Sequence, residues 1–325
     1  MIRVLEDRAF PVGELRLFAS ARGAGSRVVF RGDDLQVSEL AEEHLYGSDI
    51  VFFAAGSDVS RRFAPPVAET GGLAIDKSSA YRMDKAVPLI VPEVNPQELD
   101  GNPGIISNPN CVVIPLTVAL APLHRVAGVR HLTIATYQAA SGAGTALLTE
   151  LRRQIRDEAG GSTPRANAYP HVLLGNVVPG GWKMEGDDTE EEKKVIAETR
   201  RVMDLDDLAI AITTVRVPVE VGHSMAVWAE FDDHISAQQA RSILCEAPSI
   251  TVVDDSAKQQ YPTPRGVAGT DQVHVGRIRE DPTRVNGLTF FLAADNLRKG
   301  AATNAVQVAE LELARRAKTP LVGSR

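Results

Sequence analysis

The sequence predicts an α/β fold with an open sheet of short strands in its first third. Three observations carry this. Short apolar runs recur between residues 15 and 111, each bounded by Gly, Pro, Asn or Ser. Stretches of helical length separate several of them, the alternation that builds an open α/β sheet. After Cys111 the pattern changes to longer helices and longer strands. With 325 residues, 44% of them hydrophobic, the chain can bury two domain-sized cores.

The elements follow in order. Residues 1–8 read as a helix fragment with Ile2, Val4 and Leu5 on one face. LRLFAS (15–20) reads as a short buried strand, RGAGS (22–26) as a glycine-rich turn and RVVF as the next strand. DIVFFAAG (49–56) is a continuous apolar run, the mark of a strand buried on both faces. VSRRFAPPVAETG (59–71) reads as a helix closed by Gly71. GLAIDKSS (72–79), PLIVPEVN (88–95) and GIISNPNC (104–111) continue the strands. Residues 112–128 read as a buried helix, 131–144 as a strand entering a Gly/Ser turn, and 145–160 as an amphipathic helix. The Gly-, Pro- and Asn-rich stretch 160–186 reads as loops. Residues 187–203 form a charged helix, with Thr189 and Glu192 spaced for a capping box. Residues 208–231 hold two strands broken near Gly222, 236–247 a helix, and 295–316 one long helix.

Charge and cysteine content narrow the function classes. A net charge of −7 gives no electrostatic reason to expect nucleic acid or an anionic membrane as partner. No apolar run nears the roughly 20 residues that span a bilayer, and the acidic first residues do not resemble a signal peptide. Cys111 and Cys245, the two cysteines, are too few for a disulfide framework. A reducing, cytoplasmic location is expected, and no metal site.

Cys111 follows Asn108-Pro109-Asn110 and precedes an apolar helix. The proline keeps Asn108 extended, so the cysteine sits where a turn feeds a helix, whose N-terminal end favours a thiolate. The plainer reading of a lone cysteine is a buried structural one. Candidate partners stand elsewhere: Gln138 at the end of a strand, and Arg216 and His223 in RVPVEVGHS. A Cys with a His elsewhere in the chain is a candidate nucleophile and acid/base pair, and an Arg nearby would bind a carboxylate. Taken singly, Arg216 could be a surface strand residue and His223 a turn histidine.

Taken together, SNPNC, TYQAASGAG, RVPVEVGHS and DNLRKGAATNAVQVAE resemble the signatures of the aspartate-semialdehyde dehydrogenase family. LRLFASARGAG, AAGSDVS, DKSSAYRMD, PEVNP and VGRIRED resemble them too, over essentially the whole chain and in the family's order. The resemblance implies a Rossmann-like dinucleotide-binding domain plus an α+β catalytic and dimerisation domain with a mixed sheet. The first would span 1–110, completed by a C-terminal helix from 296 to 318, and the second 111–295. It implies NADPH-dependent reduction of L-aspartyl 4-phosphate to L-aspartate 4-semialdehyde, a step toward lysine, threonine and methionine, by a homodimer or homotetramer.

The implied roles fall on particular residues. Cys111 attacks the acyl phosphate and forms a thioester, His223 is the acid/base, and Gln138 orients the thioester. Arg216 holds the α-carboxylate and Glu191 the amine, with Glu190 and Glu192 as neighbours able to take that place. Arg82, Asn110 and Lys194 contact phosphate. Ser20, Arg22, Gly56, Ser57, Ser141, Gly142 and Asn296 contact NADP, with Arg22 placed to favour the 2′-phosphate.

The sequence also departs from the family pattern, at Lys77, Val112-Val113, Met225 and the loop VVPGGWKMEG. Met1 falls inside the region matching the family's first helix. The glycine-rich loop and first strand are therefore expected to be missing, leaving two strand edges exposed and NADP binding weak, through a late-assigned start or a truncation. Two other readings stand beside the main one: a non-catalytic or impaired paralogue, and a related N-acetyl-glutamyl-phosphate reductase.

Overall fold

A computed structural model describes residues 1–101 and 103–318. The chain forms two compact units, one of residues 1–109 with those from Ala302 onward, the other of residues 110–301.

The first unit opens with α1 (Ile2–Asp7), which buries Val4 and Leu5. β1 (Leu17–Ala19), β2 (Arg27–Phe30) and β3 (Asp33–Glu39) form a sheet in the order β1-β3-β2. The β2–β3 hairpin turns at Arg31 and Gly32, with φ of 51° and 90°. Two consecutive positive φ values match the right-handed twist of a hairpin, and glycine makes the second one easy. β3 lies outside the sequence expectation because its run DDLQVSE carries few apolar residues.

β4 (Ile50–Phe53), β5 (Leu73–Asp76) and β6 (Ile105–Ser107) form a parallel sheet with β5 central. The crossover between β4 and β5 is α2 (Ser57–Glu69). β5 is buried at every position. β1 and β4, expected to be buried, are half-buried for most of their length. The reason is pairing: among the described residues β1 bonds only to β3 and β4 only to β5. PLIVPEVN forms no strand either. It makes one isolated bridge, Leu89 to Ser107, since Pro88 and Pro92 have no N–H to give a ladder.

The second unit is built on α3 (Val113–Ala127), whose Val113, Ile114, Leu116, Leu120 and Leu123 are fully buried. It continues through β7 (Val129–Tyr137), α4 (Thr145–Ala159), the two-residue strands β8 (Met184–Glu185) and β9 (Asp188–Thr189), α5 (Glu190–Met203) and β10 (Ala209–Thr213). β11 (His223–Phe231), α6 (Ala237–Glu246), β12 (Ile250–Val252), the short α7 (Pro264–Val267), β13 (Val273–Glu280) and β14 (Gly287–Ala294) complete it. Six strands form one mixed sheet in the order β10-β7-β11-β14-β13-β12. α3 packs on β7, β13 and β14, and α6 on β13. Burial alternates along β7, with Leu132, Ile134 and Thr136 buried and Thr133, Ala135 and Tyr137 half-buried. Trp228 and Phe291 are likewise half-buried on the neighbouring strands, and Tyr137 meets Phe291 at 6.1 Å between rings.

The long loop after α4 is pinned by that helix. The buried Glu150 carboxylate accepts the N–H groups of Asn167 and Ala168, and the Gln154 side-chain oxygen those of Leu173 and Leu174.

The expected long helix at 295–316 begins later. Asp295 takes the N–H groups of Leu297 and Arg298 into its side chain, and the backbone then makes a π-helical turn over Arg298–Ala302. Only from there does α8 (Thr303–Lys318) run, completing the first unit. Its Ala305, Val306, Val308 and Ala309 share a core with Val4, Leu5, Leu73, Ile75 and Ile106.

Candidate active site

Cys111 sits just ahead of α3. Asn110 shapes the turn, its Oδ1 accepting the Val112 N–H at 2.7 Å and its carbonyl the Ile114 N–H at 3.1 Å. The sulfur lies 3.3 Å from His223 Nε2. His223 opens β11 and is fully buried. Its other nitrogen, Nδ1, receives the Ala139 N–H at 3.0 Å. A peptide N–H can only donate, so Nδ1 presents its lone pair. The neutral ring therefore carries its proton on Nε2, facing the sulfur. Burial, and then the nearby Arg216 charge, push the imidazole down to about 3 from 6.5. It stays neutral at ordinary pH and offers Cys111 a hydrogen-bond donor. The thiol itself is half-buried.

Arg216 is 2% exposed. Backbone pairing with Gln138 on one side and Val178 on the other fixes its place. Nη1 donates to the Ala139 carbonyl at 2.8 Å. The guanidinium lies over the Trp182 ring at 4.5 Å, with the Tyr169 hydroxyl beside it. Burial disfavours the cation, while Tyr169, Cys111 and Glu191 all favour it. Nε has no hydrogen-bond partner among the described residues.

α5 supplies the negative group. Thr189 and Glu192 form the expected capping box, which settles the phase of the helix. Glu192 is spent on the cap and on the Thr214 N–H, and Glu190 pairs with Lys194 at 3.3 Å. Glu191 turns inward, its Oε1 accepting from Asn110 Nδ2 at 3.1 Å and Gln138 Nε2 at 3.3 Å. Two turns on, Glu198 accepts the Asn110 N–H at 2.6 Å. Asn110, Cys111, Gln138, Glu191, Arg216 and His223 are thus gathered through their own contacts, whereas Lys194 is half-exposed in its ion pair.

Glu198, Tyr169 and Trp182 were not among the sequence candidates. The 191, 195, 198 spacing marks one helix face and could have pointed to Glu198. Nothing in the sequence pairs the loop residues Tyr169 and Trp182 with Arg216.

Of the candidates for NADP, three lie in the second unit. Ser141 bonds to Asn296, which also accepts the Gly222 N–H at 2.9 Å. A Cβ at Gly142 would meet the His223 ring at 2.8 Å, so this glycine backs the His223 ring. The others lie in the first unit. Ser20 and Arg22 are exposed after β1, and Arg22 makes no ion pair among the described residues. Gly56, at φ 102°, is the cap residue of α2, whose first-turn amides no side chain caps. Ser57 faces Ser79 across 3.2 Å between hydroxyls. Arg82 is half-buried and donates to the Asn108 and Lys77 carbonyls. A free cation and an uncapped helix N-terminus fit an anionic dinucleotide.

Comparison with known proteins bears on the whole chain. The semialdehyde dehydrogenase NAD-binding domain matches residues 1–102, and the semialdehyde dehydrogenase dimerisation domain matches 120–299. The aspartate-semialdehyde dehydrogenase of Aquifex aeolicus is 43% identical over 315 residues, covering 95% of this chain and 93% of that protein. That of Bacillus subtilis is 40% identical over 319 residues, covering 95% and 92%. Among solved structures, aspartate semialdehyde dehydrogenase II from Vibrio cholerae superposes with a TM-score of 0.93 at 38% identity, covering 96% and 94%. The same enzyme complexed with ASA gives 0.93 at 37%, again covering 96% and 94%.

Proposed function

We infer the reaction from this premise: the chain belongs to the aspartate-semialdehyde dehydrogenase family. It reduces L-aspartyl 4-phosphate to L-aspartate 4-semialdehyde with release of phosphate. The observation that carries the reading is the Cys111 sulfur 3.3 Å from a His223 nitrogen, with the unpaired Nε of Arg216 in the same cluster.

The second unit's residues divide the work. The Cys111 thiolate, favoured by the α3 N-terminus and by the donor at Nε2, attacks the acyl carbon and expels phosphate, leaving a thioester on sulfur. Bound NADPH supplies the hydride that reduces this thioester. The His223 Nε2–H donates a hydrogen bond that stabilises the oxyanion as the carbonyl turns tetrahedral. Arg216 takes the α-carboxylate through its guanidinium, and Glu191 takes the ammonium. A buried anion beside Gln138 and Asn110 suits a free amine, not an acylated one, which favours aspartyl phosphate over an N-acetyl-glutamyl phosphate. Gln138, bonded to Glu191, orients the thioester. Asn110, Lys194 and Arg82 are assigned to phosphate.

The cofactor is NADP, held by Ser20, Arg22, Gly56, Ser57, Ser141, Gly142 and Asn296. Arg22, exposed and unpaired, would meet the 2′-phosphate. The protein works as a homodimer, and its interface is the half-buried sheet face of Tyr137, Trp228 and Phe291, an apolar face that a second copy would cover. A thiol nucleophile requires a reducing compartment, in keeping with the cytoplasm.

The test runs the reaction backwards, following phosphate-dependent reduction of NADP⁺ with L-aspartate semialdehyde. Turnover that Cys111→Ser abolishes is the expected result. Turnover retained by that variant would overturn the mechanism.

A further inference from the structure

The long loop 160–183 delivers two aromatic residues to one arginine, and its backbone is built for that delivery. Gly180 and Gly181 both have positive φ, 151° and 85°. A Cβ at Gly181 would stand 2.0 Å from the Tyr169 hydroxyl, so only glycine lets the phenol pass. Tyr169 is 7% exposed and donates to the Gly180 carbonyl at 2.5 Å. The next residue is Trp182, whose ring lies 4.5 Å from the Arg216 guanidinium carbon.

A guanidinium binds carboxylates in its own plane, along an edge, while its flat faces stack on aromatic rings. Here one in-plane position is taken by the Ala139 carbonyl, the Tyr169 hydroxyl meets the guanidinium as well, and one face is covered by the indole. The orientation of the guanidinium is thereby set from three sides.

We propose that Trp182 is a specificity-determining residue that fixes the plane of Arg216 and so orients the guanidinium for the substrate α-carboxylate. The inference rests on the reaction proposed above, and its ligand is the carboxylate of that amino-acid semialdehyde. Trp182 acts through Arg216 and is a positioning residue. Its loss leaves the cation in place but free to tilt. Ground-state and transition-state binding weaken alike, which appears in KM and not in kcat. A desolvated cation–π contact is worth enough for a change of about tenfold.

The experiment compares Trp182→Leu, Trp182→Phe and the full wild-type chain in phosphate-dependent turnover of L-aspartate semialdehyde. Trp182→Leu should raise KM for the semialdehyde about tenfold, with kcat within about threefold and KM for phosphate unchanged. Trp182→Phe, which keeps a ring, should restore most of the loss. The rate of Cys111 alkylation by iodoacetamide should be the same in all three. An active wild type with an unchanged KM in Trp182→Leu overturns this inference and leaves the reaction standing. So does a Trp182→Leu that loses kcat and alkylation rate together, since that is the signature of a collapsed loop. A wild type that does not turn over the semialdehyde overturns the reaction itself and this inference with it.

Discussion

Gly142 offers a clean perturbation of the catalytic pair. Its φ is not among the positive values, so alanine can adopt the backbone without strain. The added methyl, however, would lie 2.8 Å from both Cε1 and Nε2 of His223 and 3.1 Å from Arg216 Nη1. Ordinary contact begins near 3.4 Å, so the ring must retreat by about 0.6 Å (3.4 − 2.8). It has little room. His223 is fully buried and tethered through Nδ1 to the Ala139 N–H. The retreat acts on Nε2, the atom 3.3 Å from the sulfur. A misplacement approaching an ångström costs on the order of a hundredfold in rate. Gly142→Ala should therefore lose about two orders of magnitude in kcat. The pH at which iodoacetamide alkylates Cys111 should rise as the donor to the thiolate is lost, a readout that needs no cofactor. Gly144→Ala is the control: nothing lies within 4 Å, but φ is +91°. It should lower stability by about 1 kcal/mol and leave the alkylation profile alone. A Gly142→Ala protein with wild-type kcat and alkylation would refute the placement of the histidine.

Three further outcomes follow from the geometry. His223 sits at about 3 when folded and 6.5 when unfolded. A proton thus binds the unfolded chain preferentially, and stability is lost as pH drops below about 6.5. Denaturant titrations between pH 7 and 5 should show this loss; His124, His131 and His274 are lowered by burial in the same sense, so His223→Asn should reduce the slope without abolishing it. Glu191→Gln keeps the shape but removes the anion, so KM for the semialdehyde should rise by at least tenfold in steady-state assays, and an unchanged KM would take the amine away from this residue. Glu150→Ala strands the Asn167 and Ala168 amides that its carboxylate accepts. A loss of about 2–3 kcal/mol in thermal or denaturant unfolding is expected, and none if water replaces the carboxylate freely.

How far the sequence reaches depends on whether a feature is local. The capping box of α5 is legible from Thr189 and Glu192 alone. Followed through, it occupies Glu192 and sets the helix phase that turns Glu191 inward. α3 and β7 announce themselves because their apolar pattern matches burial on the sheet. Where neighbours decide, the reading falters. β3 looks like a polar loop, yet the Arg31-Gly32 turn folds it back onto β2. PLIVPEVN looks like a strand, yet its prolines deny the ladder. The start of α8 is displaced because Asp295 takes the N–H groups that follow it while the Asn296 side chain is drawn to Gly222 and Ser141. Cys111, His223, Gln138 and Arg216 are nameable from motifs, but the tautomer of His223 rests on one N–H from Ala139, which no motif reveals. Trp182 and Tyr169 reach Arg216 from a long irregular segment, and their distance along the chain says nothing of that meeting.

Ala139 has no functional side chain, yet its backbone N–H holds the His223 ring and its carbonyl holds the Arg216 guanidinium. The histidine and the arginine are therefore levelled against a common reference. Replacing either one releases the strand end that orients the other, so their losses should not sum in a double-mutant cycle. The same wiring limits redesign. An attempt to admit a new substrate by exchanging Arg216 would also disturb the ring that donates to the sulfur, whereas changes in the loop that bears Trp182 would leave that reference untouched. Selectivity in this scaffold is adjustable from one side only.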